Sequence, residues 1–291
     1  MFQKQKELQG HSGAIYTCVF DGEFLYTGSA DKFITRWNLK RGTQDKFAIK
    51  FESPVYTMEL FKHLLFVGLA NGALHVFDLK KRIELKHFSQ HKEALFSISS
   101  NPNKNQLYVG DALGNLSVWD IETLDLLVYL PLDSGKIRDI QCSIDGSNFA
   151  LTCQDGTIRI FDTEFFNEIS TISGHKDGAT AVLFDPTSSE HLISGGKDAM
   201  LRKWNWKTNT LLLEIPAHNF AIYRLIHVGS YFVSASRDKT LKLWTIDLDF
   251  IKRLDSKEGG HHHSVNDVAH LNDSLFASVG DDKRIILWEK S

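Results

Sequence analysis

Seven aromatic residues fall at nearly even intervals along this chain: Trp37, Phe77, Trp119, Phe161, Trp204, Trp244 and Trp288, spaced 40, 42, 42, 43, 40 and 44 residues apart. Self-similarity at a fixed period of this size marks a repeat architecture, in which each unit buries its apolar faces against its neighbours. Around the anchors the text alternates apolar and polar residues, as in NLSVWD (115–120) and TIRIFD (157–162). A period of two, punctuated by Gly, Asp and Asn, predicts short strands joined by tight turns. No stretch sustains the helical period of about 3.6 residues. An all-β repeat of about 40–45 residues predicts a propeller blade of four strands.

A second pattern rides on the first. GSADKFITRW (28–37) returns as GKDAMLRKW (196–204), SRDKTLKLW (236–244) and GDDKRIILW (280–288). Four repeats thereby hold a His, a hydroxyl residue, an Asp and a Trp in register: His11, Thr27, Asp31 and Trp37; His175, Ser194, Asp198 and Trp204; His218, Ser234, Asp238 and Trp244; His261, Ser278, Asp282 and Trp288. The hydroxyl always stands four residues before the Asp. The other three repeats carry Val67, Val109 and Leu151 there, and they lose further members: Phe51, Asn71 and Phe77 in repeat two, Leu113 in repeat three, Asp133 and Phe161 in repeat four. Loss as a group is what a buried hydrogen-bonded network predicts, because a half-satisfied network is worse than an apolar site. The alternative, a Ser-His-Asp hydrolase, needs one exposed nucleophile, and no G-x-S-x-G elbow accompanies these serines.

Taken with QGH (9–11), SGH (173–175), GGH (259–261), VFD (76–78) and VWD (118–120), the chain resembles the WD-repeat family from its first His to its last Trp. The resemblance implies that the tetrads are structural relays tying outer strands to inner ones. It implies a seven-bladed β-propeller with four-stranded blades, a single domain over residues 1–291. The last repeat stops three residues after Trp288, and Leu8 falls in register with Ala48, Phe88, Leu130, Ile172 and Ile215 of the outer strands. The N-terminal strand is therefore expected to complete the last blade and close the ring.

The bulk numbers narrow the function classes. A formal charge of -3 predicts no polyanion or membrane partner through long-range field. No apolar run spans a bilayer, and MFQKQKELQGH lacks the apolar core of a signal peptide. Cys18, Cys142 and Cys153 lie in strand-like runs without metal spacing, which suits a reducing, cytoplasmic location. Cys142 and Cys153 are candidate neighbours on adjacent strands of blade four. HHH (261–263) does not read as a metal site, because successive residues of an extended segment point to opposite sides. LKRG (39–42) and LKKR (79–82) are basic turns that do not extend into a stripe, so nucleic acid is not the expected partner.

Function has to be argued apart from fold. In propellers similar to this one, ligands meet the mouth of the central channel, at positions transferred here by register. Blades one to three place Tyr16, Tyr56 and Phe96 there; blades four to six place Lys136, Arg138, Lys197 and Arg237, with Tyr223 between. Aromatics and Arg anchor protein interfaces, and clustered cations suit carboxylate or phosphate. The expectation is a non-catalytic scaffold, monomeric by itself within a larger complex, with no cofactor or metal. Its partner is a protein or peptide with an aromatic-compatible and an acidic or phosphorylated element. The alternative is a propeller enzyme or small-molecule binder acting at the channel, for which the mouth positions supply only Asp281 as a carboxylate. Neither an FRRG phosphoinositide motif nor a Trp-Asp-x-Arg adaptor motif is present.

Overall fold

The computed structural model describes residues Met1–Ser291 as seven four-stranded antiparallel sheets. Blade one runs from inside outward as Ile15–Phe20, Phe24–Ser29, Phe33–Asn38 and Thr43–Lys50. Blades two to six repeat that order from innermost strands Val55–Phe61, Leu95–Asn101, Ile137–Cys142, Ala179–Phe184 and Ile222–Val228. Each innermost strand lies beside those of the two flanking blades, so the sheets close around a central channel. The second strands, such as Leu64–Leu69 and Gln106–Asp111, are buried on both faces. Outer strands such as Thr43–Lys50 expose every other residue. The single helical turn is Ser256–Glu258, and no helix is long and apolar enough to cross a membrane.

Blade seven holds three strands of its own, Val265–Asn272, Leu275–Gly280 and Arg284–Lys290; its fourth is the N-terminal strand Phe2–Gln9, paired antiparallel with the last. Leu8 lies opposite Ile285 and is buried, as its register predicted. Phe2 is buried against Phe276 and Tyr231, with ring centroids 5.1 and 6.0 Å away. Glu7 is ion-paired with Arg284. That hydrogen-bonded pairing holds the Glu7 carboxyl well below the usual range.

All four predicted tetrads are formed. In blade one the Trp37 indole donates to Thr27 Oγ1 at 2.8 Å, His11 Nε2 lies 2.8 Å from that hydroxyl, and His11 Nδ1 lies 2.8 Å from Asp31. The same distances in blades five, six and seven run from 2.7 to 3.0 Å. Each Asp also accepts the backbone N–H that follows its His, at Ser12, Lys176, Asn219 and His262. Trp on the third strand, hydroxyl on the second, His on the connection into the innermost strand and Asp in the turn are thereby locked into one geometry. Each neutral bond contributes about 0.5–1.5 kcal/mol, and one to a charged group about 1.5–3.

Blade three corrects the sequence reading, which placed it among the blades without a network. His91 Nδ1 is 2.8 Å from Asp111, His91 Nε2 is 2.8 Å from Ser117 Oγ, and the Trp119 indole donates to Ser117 at 2.8 Å. Ser117 is the cross-strand partner of Val109, so the hydroxyl has moved one strand outward into the same space. Blade one shows the intermediate case. Thr35, paired with Thr27, also reaches His11 Nε2 at 3.0 Å. Asp111, two residues before the usual turn position, replaces the missing turn carboxylate and accepts the N–H groups of Leu113 and Asn115. Blades two and four have His75 and Arg159 where blade three has Ser117, bonded to Glu84 and Asp155, and aromatic pairs pack beside them. Phe51 packs edge-on against Phe77 at 6.0 Å, and Phe149 stacks on Phe161 at 5.2 Å.

Three outcomes are expected. Removing residues 1–9 unpairs a strand and lowers the melting temperature by several degrees or causes aggregation; a shortened chain that melts like the whole one would refute the closure. In urea melts, Ser117→Ala and Ser234→Ala each destabilise by about 1–3 kcal/mol, whereas Val67→Ser does not stabilise, since Phe51 and Phe77 offer it no partner. The third outcome is a loss of stability with acid. Burial alone raises the carboxyls of Asp198 and Asp238, but the bonds from His175 and His218 outweigh it and hold both well below the ordinary 3.8. Burial of His218 lowers its pKa below 6.5 despite Asp238. All three groups take protons more readily unfolded than folded, so stability is full above 6.5 and falls as pH drops below it, and again below 3.8. His218→Gln should remove the first fall in a pH series of melts and shrink the second, since Asp238 loses the bond that holds its carboxyl down while Asp198 keeps that of His175.

Candidate functional site

Every innermost strand carries a β-bulge at the same place, so that one extra residue stands opposite the second strand: Tyr16, Tyr56, Phe96, Arg138, Thr180, Tyr223 and Asn266. A bulge breaks strict alternation and re-aims side chains, and here it turns two consecutive residues toward the channel. The position after the bulge therefore joins the lining as Thr17, Thr57, Ser97, Asp139, Arg224 and Asp267. Together the two layers enclose a cavity of about 360 Å³ at the channel mouth.

The outer layer is an arc of touching rings that ends in cations. Tyr16 meets Tyr56 edge-on at 5.2 Å, and Tyr56 stacks on Phe96 at 5.4 Å. The Arg138 guanidinium lies 4.7 Å from the Phe96 ring centre and Lys136 Nζ 5.3 Å from it, both within cation–π range. Burial lowers the Arg138 pKa, with Tyr223 and Tyr56 opposing. Arg138 makes no hydrogen bond and no ion pair within the chain. Burial, helped by Tyr56 and Asp281, raises the Tyr16 phenol.

The inner layer is an ion cluster. Arg224 of blade six sits 2.9 Å from Asp139 of blade four and 3.3 Å from Asp267 of blade seven. Each Asp gives its other oxygen to the next blade: Asp139 accepts the N–H of Val182 at 3.1 Å, and Asp267 that of Cys18 at 2.9 Å. One guanidinium so ties blades four, six and seven directly, and blades five and one through the two carboxylates, and floors the cavity. Burial works against its charge, but Asp139, Asp267 and Glu59 outweigh that and hold Arg224 firmly cationic. Burial raises all three carboxyls despite Arg224.

Of the residues expected at the mouth, Tyr16, Tyr56, Phe96, Arg138 and Tyr223 line the cavity. Lys136 stands half-buried beside Phe96, while Lys197 and Arg237 are exposed outside the lining; Arg237 lies 6.0 Å from the ring centre of Phe220. Sequence reasoning missed the inner layer, Asp139, Arg224 and Asp267, because it assumed plain alternation. The available signal was a polar residue at one fixed register in strands that are otherwise apolar. Cys142 and Cys153 are not neighbours: Cys142 pairs with Phe149 and Cys153 with Ile137, at opposite ends of their hairpin. All three thiols are free, and burial pushes Cys142 up to about 12. His261 serves the blade-seven relay, and His262 and His263 are exposed.

Arg224→Met leaves Asp139 and Asp267 facing each other without their cation. The expected cost at neutral pH is about 3 kcal/mol. Each carboxyl then has a folded pKa raised still further, so the variant's stability is best retained at low pH and is lost as pH rises through those values. Urea melts at mildly acidic and neutral pH check this; equal deficits at both would show that the cluster carries no charge-dependent role.

The WD40 family model (WD domain, G-beta repeat) matches residues 2–38, 82–120, 129–162, 166–205, 209–245 and 252–289, passing over most of blade two. The WD repeat-containing protein 55 of Bos taurus is 24% identical over 288 residues, covering 93% of this chain and 74% of that protein. The DDB1- and CUL4-associated factor 13 of Dictyostelium discoideum is 31% identical over 136 residues, 45% of this chain and 30% of that protein. The U3 small nucleolar RNA-associated protein 15 homolog of Gallus gallus is 24% identical over 186 residues, 62% of this chain and 35% of that protein. Six matched repeats and a seventh blade of the same architecture make this chain a member of the WD40 repeat family.

Proposed function

We propose that the chain is a non-catalytic scaffold whose channel mouth binds a protein segment bearing an acidic or phosphorylated residue next to an apolar one. The observation that carries this reading is Arg138. A desolvated guanidinium without a carboxylate partner is costly, and an incoming carboxylate or phosphate would relieve that cost through a charge-assisted, bidentate pair. Tyr16, Tyr56 and Phe96 offer the adjoining apolar surface, of the residue types that dominate binding hot spots. Lys136, Lys197, Tyr223 and Arg237 complete the rim and favour encounter with an acidic partner.

The enzyme alternative is less well supported by the same geometry. Asp139 and Asp267 are committed to Arg224 and to backbone N–H groups, and Asp281 accepts from Asn266 at 2.8 Å. That leaves Asp281 as the one cavity carboxylate with an oxygen unbonded, with no second free carboxylate beside it to share acid–base work. Two relatives are named for association with larger assemblies, one with a small nucleolar RNA, which suits a monomer working inside a complex. Three free thiols suit a reducing interior, which cytoplasm and nucleus share.

A peptide selected on the intact protein from a random display library should contain an Asp, Glu or phosphoresidue beside a bulky apolar one. In isothermal titration, Tyr56→Ala should weaken it by at least about 2 kcal/mol at low and high salt alike. Arg138→Ala should weaken it mainly at low salt, where charge is least screened. Unchanged affinity in the double variant would remove the mouth as the binding surface.

A further inference from the structure

Blade two differs from its six neighbours at the anchor. Trp37, Trp119, Phe161, Trp204, Trp244 and Trp288 are all buried, whereas Phe77 is half-exposed. With no relay to hold and a smaller ring than Trp, the blade leaves an open groove of about 610 Å³ against blade one. One wall is the outermost strand of blade one, Thr43–Lys50, which contributes Phe47 and Ile49. The other is the end of blade two, which contributes Phe77, Leu79 and Ile83. Being outermost in its sheet, Thr43–Lys50 also keeps one backbone edge unpaired by any strand.

The groove is lined by three acidic side chains, but each is already engaged within the chain, Asp45 by Arg36, Asp78 by the backbone N–H groups of Lys80 and Lys81, and Glu84 by His75, so the unpaired charge is positive. Lys46 and Arg82 line it, are exposed and have no carboxylate within ion-pair distance, whereas Arg36 is already bound to Asp45 at 2.6 Å. The basic turns beside it add Lys40, Arg41 and Lys80, exposed and likewise unpaired; Lys81 reaches Asp78 only at 3.7 Å. The equivalent turns of blades three and four carry Glu122, Asp125 and Glu164 instead. A local positive field over an apolar floor, beside an open strand edge, fits an extended chain of alternating acidic and apolar residues.

We infer that the groove between blades one and two is a second docking site, separate from the channel mouth, for an extended acidic segment of a partner protein. Apolar side chains would rest on Phe77, Phe47 and Ile49, and carboxylates would meet Lys46 and Arg82. A single-stranded nucleic acid fits less well, because its bases need free aromatic faces for stacking and the two rings of this lining, Phe47 and Phe77, are both only half-exposed.

The site is tested on the full chain carrying Tyr56→Ala and Arg138→Ala, so that channel ligands drop out. A random dodecapeptide display library is selected on it, and enriched sequences are remade as fluorescein-labelled peptides for anisotropy titration. Acidic–apolar peptides should enrich. Lys46→Glu with Arg82→Glu should weaken them by roughly tenfold or more at low salt, with no change in melting temperature. Phe77→Trp, which supplies the larger ring that five of the other six blades carry and fills the groove, should block them while the protein stays folded. No enrichment, or peptides indifferent to both variants, would overturn the proposal. So would binding of a labelled oligouridine that competes with the peptides and needs the same two cations, since that would make the groove a nucleic-acid site.

Discussion

A propeller blade is apolar on both faces, so it is stable only when flanked on both sides. The core of this protein is accordingly not one cluster but seven, each spanning the junction of two consecutive blades. A linear stack of such sheets leaves two faces bare and one junction unmade, and only a ring makes all seven. The N-terminal strand carries that requirement. Phe2 belongs to the cluster between blades six and seven, and Leu8 to the one between blades seven and one. One eight-residue strand thus takes part in two of the seven junctions while pairing along the last strand. Its charged face is fastened too, through Glu7 and Arg284.

Within that ring the relays act on the blade rather than on the junction. Their chemistry is defined by where a hydroxyl stands between an indole N–H and an imidazole, not by which strand supplies it. Blade three makes the point: Ser117 replaces the residue at Val109 from across the strand pair, and Asp111 replaces the turn Asp from two residues upstream. The imidazole still donates from Nδ1 and accepts at Nε2, so every proton of the relay has a place. Where neither replacement exists, as in blades two and four, His75 and Arg159 stand across from Val67 and Leu151 and find carboxylate partners of their own in Glu84 and Asp155. That is the behaviour expected of buried polar groups, which cost more half-satisfied than absent.

The sequence made the ring readable because its signals are periodic. Anchor spacing counted the blades, the Leu8 register located the closure, and four tetrads stood in plain order. What stayed hidden lay where a local device breaks a period. The bulge at Tyr16 and its six equivalents puts two neighbouring residues on one side, so reading every second residue found Tyr16 and Arg138 but passed over Asp139, Arg224 and Asp267. Blade three was misread for a related reason, since strand pairing, not chain order, brings Ser117 to His91. Cys142 and Cys153 were placed together by their membership of one blade, although antiparallel register sends them to opposite ends.

The two arginines of the channel make the strongest functional contrast in the molecule. Both sit on innermost strands next to the same cavity, and both are half-buried. Arg224 is met by Asp139 and Asp267, with Glu59 adding to the field, so its charge is neutralised by the chain itself. Arg138 neighbours Asp139 in sequence, yet that carboxylate is turned to Arg224 and to the Val182 N–H, leaving Arg138 only ring faces for company. A ring that already gathers three carboxylates around one guanidinium has the means to supply one for the other. Its absence leaves Arg138 with an unpaired charge beside the cavity, and that imbalance is the physical ground for proposing that an acidic partner docks there.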